Sequence, residues 1–179
     1  MKIAIALLLS AMLLVSVPSP MLAKGKTSKI TITGPSLKRP IEILDPKILA
    51  NFSVWTGPGT STADHQGMII DWSHGPVREA PSTLRRYQVS FYAGAAPNER
   101  IVYVVCYVAN PDVSPGYVYL PGKSDEWYGL NVRLIFRGEE GKWFPALNAW
   151  ERVAPPLIEK AERTDSSTPE NSASGNLMR

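Results

Sequence analysis

The chain has 179 residues, which bounds it to one domain of ordinary size. Its 19 basic and 16 acidic residues leave a net charge of +3. That is too small to point to a polyanionic partner, and the basic residues form no dense run, so nucleic acid is not an expected partner. A lone cysteine, Cys106, excludes an internal disulfide.

The N-terminus has the layout of a secretory signal peptide. Met1-Lys2 is a short basic start, Ile3 to Val17 is apolar apart from Ser10 and Ser16, and Pro18, Ser19 and Pro20 follow. The apolar run is short for a membrane span, which needs about 20 residues. We expect residues 1–23 to be removed, with cleavage after Ala23 or Ser19. This predicts a secreted or periplasmic chain with no stable membrane span once the signal is cut. Removing the signal takes away Lys2 and no acid, so the charge stays slightly positive. Residues 24–29 read as a flexible leader.

A single β-rich domain is expected over 30–162. Ile30 to Thr33 is β-branched throughout and stops at Gly34-Pro35. Pro40 to Leu44 reads as an edge strand with its proline at the start. Asp45 is a helix cap, and Pro46 suits the first helical position because it has no N–H to lose. Ile48, Leu49, Phe52 and Trp55 then recur at helical spacing. Met68-Ile69-Ile70 is a short apolar run between loops.

The stretch from Arg86 to Pro121 carries the strongest pattern. Tyr87, Val89 and Phe91 alternate with Arg86, Gln88 and Ser90, as in a strand buried on one face. Ile101 to Val108 is apolar on both faces and reads as the central strand. Cys106 lies within it and reads as a small buried hydrophobe. The intervening loops suit antiparallel hairpins. Gly116 to Leu120 sets Tyr117 and Tyr119 opposite Val118 and Leu120. Leu130 to Arg137 alternates again, with Val132, Leu134 and Phe136 inward and Arg133 and Arg137 outward. Gly138 to Gly141 then reads as a hairpin turn leading into a strand at Lys142-Trp143-Phe144. Leu147, Trp150, Val153 and Ala154 have helical spacing, ended or kinked by Pro155-Pro156. Residues 163–179 are polar and read as a disordered tail. The predicted fold is mainly β, with α+β as the variant: a single antiparallel sheet or a partly closed barrel, with one or two short helices.

Candidate chemistry is sparse. Asp64, His65, Asp71 and His74 include both histidines of the chain within ten residues. A metal or hydrolytic site there would need them to converge, and their spacing matches no known ligand pattern, so no metal or cofactor is predicted. Trp72-Ser73-His74-Gly75 lacks the glycine that a nucleophile elbow needs two residues before its serine. Gly122-Lys123-Ser124 lacks the partner glycine of a phosphate loop. The remaining candidates are aromatic. Tyr117, Tyr119, Trp127 and Tyr128 could present rings on one sheet face, to stack on a glycan or anchor a protein. The reading favoured is a non-catalytic binding or structural module. Its rival is an extracytoplasmic hydrolase or metal-dependent enzyme using Asp64, His65, Asp71 and His74.

Overall fold

The computed structural model describes residues 25–60, 66–78, 84–109 and 115–166. Six strands form one antiparallel sheet. In chain order they are β1 (Thr27–Thr33), β2 (Ile41–Ile43), β5 (Arg86–Ala93), β6 (Arg100–Val108), β7 (Tyr117–Tyr119) and β8 (Trp143–Pro145). Across the sheet the order is β2-β1-β5-β6-β7-β8. The sheet is open, not a closed barrel, with β2 and β8 at its edges. The run read as the central strand is an interior one, with β5 and β7 on its two sides. A separate two-stranded ribbon, β3 (Gln66–Gly67) with β4 (Ile70–Asp71), leads into a single 3-10 turn at Trp72–His74.

Side-chain alternation and register divide the sheet into two faces. Ile30 pairs with Phe91 and Ile32 with Val89. Val89 pairs with Val105, Tyr87 with Tyr107, Tyr107 with Val118, and Val118 with Phe144. All of these are buried, and they make the core face. Short helices and loops cover it. Leu49, Phe52 and Val54 come from α1 (Pro46–Leu49) and the chain after it, and Met68, Ile69 and Ile70 from the ribbon. Trp150 comes from α3 (Asn148–Glu151), and Ala154 and Ile158 from α4 (Ala154–Ser166). Trp150 meets Phe52 and Tyr107 edge to face, with ring centroids 5.2 and 5.9 Å apart. Each large side chain buried here contributes about 1.5–3 kcal/mol.

Asp45 caps α1 as expected, its Oδ1 accepting from the Lys47 amide at 2.8 Å. The helix is one turn, however, and does not reach Trp55. Phe52 and Val54 enter the core from the loop that follows. β1 begins at Thr27, inside the segment read as a flexible leader. α4 continues through Arg163 to Ser166, into the stretch read as disordered. Pro155 and Pro156 sit in the first turn of α4, where a missing N–H breaks no helical bond, so they start that helix and do not end or kink one. Among the described residues, no helix is long and apolar enough to cross a membrane.

The largest correction is Leu130–Arg137. It is no strand: Tyr128–Leu134 form α2. The inward and outward assignments also reverse at its end, since Phe136 is 63% exposed and Arg137 only 5%. The physical reason lies at Asn131. Its Oδ1 accepts from the Val104 amide at 2.9 Å, and its Nδ2 donates to the Val104 carbonyl at 2.7 Å. β7 pairs with β6 only at Cys106, Tyr107 and Val108. Asn131 completes the β6 edge just past the end of β7, and a helix delivers it there. The Gly138–Gly141 turn is then entered from a loop. Its Gly141 amide donates to Leu120, and the Lys142 carbonyl accepts from the Leu120 amide.

Candidate functional site

The face opposite the core carries the polar half of β5. Gln88 pairs with Cys106, Cys106 with Tyr119, and Tyr119 with Trp143. Register therefore lines these four side chains across four strands on one face. Arg86 and Tyr117 lie on the same face, each paired with Val108. The turn after β7 folds back over this surface. Trp127, at its end, donates its indole N–H to Gln88 Oε1 at 3.0 Å, and Gln88 Nε2 donates to the Ser90 hydroxyl at 3.2 Å. Between turn and sheet is an open cleft of about 380 Å³, lined by Arg86, Gln88, Val104, Cys106, Tyr119, Pro121, Asp125 and Trp127, with Thr33 and Gly34 at one end.

The wall of the cleft is tied together by short contacts. The Tyr119 hydroxyl donates to Asp125 Oδ2 at 2.9 Å, and the Gly122 amide donates to the same oxygen at 2.6 Å. Tyr119 also lies against Trp143, with centroids 4.9 Å apart. The Arg86 guanidinium sits over the other part of this stack, 5.5 Å from the Trp143 centroid. Burial raises the pKa of the Tyr119 hydroxyl, and its bond to Asp125 raises it further. Gly122 sits where the turn crosses the next one, and a Cβ there would crowd the Gly141 Cα at 3.0 Å.

Of the aromatic candidates, Tyr119 and Trp127 line the cleft. Tyr117 shares the face but lies outside the cleft, and Tyr128 opens α2 without lining it. All four rings are half-buried. Arg86, Gln88, Asp125 and Trp143 were not singled out as site residues in the sequence. The polar alternation of β5 was the signal available for the first two. Cys106, read as a small buried hydrophobe, is partly exposed, and its side chain faces the cleft. It is still a poor nucleophile. Burial pushes its thiol up to about 11, with Arg86 pulling down and Asp125 pushing up.

Asp64 and His65 lie outside the described residues. Asp71 and His74 do meet, but only locally. Asp71 Oδ1 caps the 3-10 turn by accepting from the Ser73 amide and hydroxyl, while Oδ2 lies 2.9 Å from His74 Nδ1. Ser73 Oγ is 3.2 Å from that same nitrogen. A catalytic triad needs the serine and the carboxylate on opposite ring nitrogens. Here both sit at Nδ1, and the serine proton points to the carboxylate. Burial raises the pKa of Asp71, but the bonds from Ser73 and His74 outweigh it and lower the value overall. His74, with 70% of its side chain exposed, projects into solvent. Among the described residues, no group of three or more His, Cys, Asp or Glu side chains could hold a metal ion.

Comparison of the chain with protein-family models, with curated proteins and with solved structures finds no match.

The chemistry of the site therefore rests on its own residues. The cleft has an apolar floor at Val104 and Cys106, an indole wall at Trp127, one guanidinium and one carboxylate. A second cluster, around Arg137, has a different character. Its guanidinium donates to the carbonyls of Val54, Thr56 and Pro58 and to the Tyr103 hydroxyl. It also lies over the rings of Tyr103 and Trp72 at 5.0 and 5.5 Å. Its donors are spent on the protein itself, which makes it a staple between the 54–58 loop and α2, not a receptor.

Proposed function

We propose that this protein is a non-catalytic binding module of the secreted or periplasmic space, and that it takes a small ligand in the cleft between the sheet and the Pro121–Trp127 turn. The observation that carries this reading is the cleft itself. It is about 380 Å³, apolar at its floor, rimmed by Arg86 and Asp125, and walled by rings that neighbouring hydrogen bonds hold in place. Sites for small molecules have this size and this mix of apolar lining with a few placed polar groups. A flat protein-docking surface is less well supported, because the four candidate rings are half-buried and Tyr119 and Trp127 spend their polar atoms on neighbours. The extracytoplasmic address rests on the basic and apolar N-terminal segment.

The test is a small-fragment screen of the folded chain by amide and indole proton–nitrogen correlation spectra. Binding in the cleft shifts the Trp127 indole N–H and the Gly122 amide together, and Trp127→Leu, which deletes the indole reporter, is expected to remove the Gly122 response. Ligands whose shifts fall only on other surfaces would refute the reading. Cell fractionation with N-terminal sequencing of the product checks the address.

A further inference from the structure

The cleft holds two opposite charges that do not neutralise each other. Among the described residues, the Arg86 guanidinium pairs with no carboxylate, and its contact is the Trp143 ring. Stacking fixes the plane of a guanidinium and leaves its edge N–H groups free to make paired bonds with a carboxylate. Asp125 is anchored from the other side by Tyr119 and Gly122. Both of those bonds fall on Oδ2, and Oδ1 receives no donor among the described residues. Both charges line the same space, and the Cys106 thiol, raised first by burial, feels each of them with opposite sign. No ion pair joins them among the described residues, and each has its own separate anchor.

Resting on the binding reading above, we propose that the cleft selects an amphoteric small molecule of the amino-acid type. Its carboxylate lies on Arg86, its ammonium on Asp125 Oδ1, and its apolar part against Val104, Cys106 and Trp127. Charge complementarity decides this choice. A simple anion would satisfy Arg86 and be repelled by Asp125. A simple cation would do the reverse. A neutral sugar would leave both charges without a partner. A zwitterion completes both, and its apolar part matches the floor.

The test uses the full chain and two zwitterions that bracket the charge separation, phenylalanine and 4-(aminomethyl)benzoate. N-acetylphenylalanine and 4-methylbenzoate keep only the anion, phenylalanine amide and benzylamine only the cation, and glucose neither. At least one zwitterion is expected to bind about tenfold or more tighter than both of its single-charge counterparts, shifting Trp127 and Gly122. Arg86→Gln is expected to erase the preference over the amide. Asp125→Asn, which keeps an acceptor for Tyr119 and Gly122, is expected to erase the preference over the N-acetyl compound. A merely structural role for either residue would not give this crossed pattern. Equal binding of single-charge analogues, or unchanged selectivity in both variants, overturns the proposal. Glucose shifting the cleft when neither zwitterion does overturns this inference alone. A cleft silent to every probe counts against the binding reading as well.

Discussion

Asn131 holds both backbone groups of Val104, as a neighbouring strand would. The two bonds, 2.9 and 2.7 Å, run between buried partners at the point where β7 has ended. An amide side chain is the one common group that offers an acceptor and a donor side by side. Asn131→Leu leaves the Val104 N–H and carbonyl buried without partners, at about 1–3 kcal/mol each. The expected loss is about 3 kcal/mol in urea unfolding. Amide exchange at Val104, slow in the parent protein, should become one of the faster rates in β6. A variant as stable as the parent would mean that water replaces the side chain there.

Cys106 lines the cleft yet is expected to react slowly. Its thiol is raised from an ordinary value of 9.0 to about 11, first by burial. A rise of that size lowers its thiolate fraction at neutral pH about a hundredfold relative to an ordinary thiol. Labelling of the native protein by a disulfide reagent should lag the unfolded chain by at least that factor. It should also climb with pH until near 11. The sign for stability follows from the same shift: the folded state holds this proton more tightly, so its contribution is complete below pH 9 and fades as pH rises towards 11. Native and unfolded rates that coincide at pH 8 would place the sulfur in open solvent.

The sheet was legible because strands such as β5 write their two faces into alternate residues. Tyr87, Val89 and Phe91 could go nowhere but inward once Arg86 and Gln88 marked the other side. Leu130–Arg137 misled for the same reason. Val132, Leu134 and Phe136 alternate like a strand, but the segment is short, and a tertiary demand for Asn131 at the β6 edge outweighs the pattern. The cleft was half legible. Tyr119 and Trp127 were visible as aromatics beside a polar turn. Arg86, Asp125 and Trp143 come together through the successive pairing of β5 with β6, β6 with β7 and β7 with β8, and no single strand's alternation reports that register.

Glu162 ties the end of α4 to the sheet. Its Oε1 accepts from the Tyr87 hydroxyl at 3.0 Å and from Arg85 at 2.8 Å. A bond from Ser36 is the largest cause of its lowered pKa, with Tyr87 and Arg85 adding to it. A carboxylate with a lowered folded pKa stabilises above its unfolded value and loses that contribution as pH falls through the folded one. The parent should therefore lose stability on acidification below about pH 4.5, the ordinary value for this group. Glu162→Gln should be less stable at pH 7 and show a shallower acid limb. Melting temperatures of both proteins between pH 3 and 7 test this. Parallel curves would remove Glu162 from the acid transition.

Among the described residues no carboxylate meets the guanidinium of Arg137, a buried cation, and that makes it intolerant of substitution. Three main-chain carbonyls and a tyrosine hydroxyl take its N–H groups, while the Glu140 carboxylate accepts from its backbone amide at 2.7 Å. The carbonyls of Val54, Thr56 and Pro58 point at one place because the guanidinium is there. Arg137→Met fills much of the volume but orphans those oxygens, and the expected cost is about 3 kcal/mol or more. Arg137→Lys keeps the charge, but its single ammonium cannot match the planar fork that spans the loop, so it should fall near Met and well below the parent. Chemical unfolding of the three proteins checks the order. A lysine variant as stable as the parent would show that charge, not the fork, holds the 54–58 loop against the core.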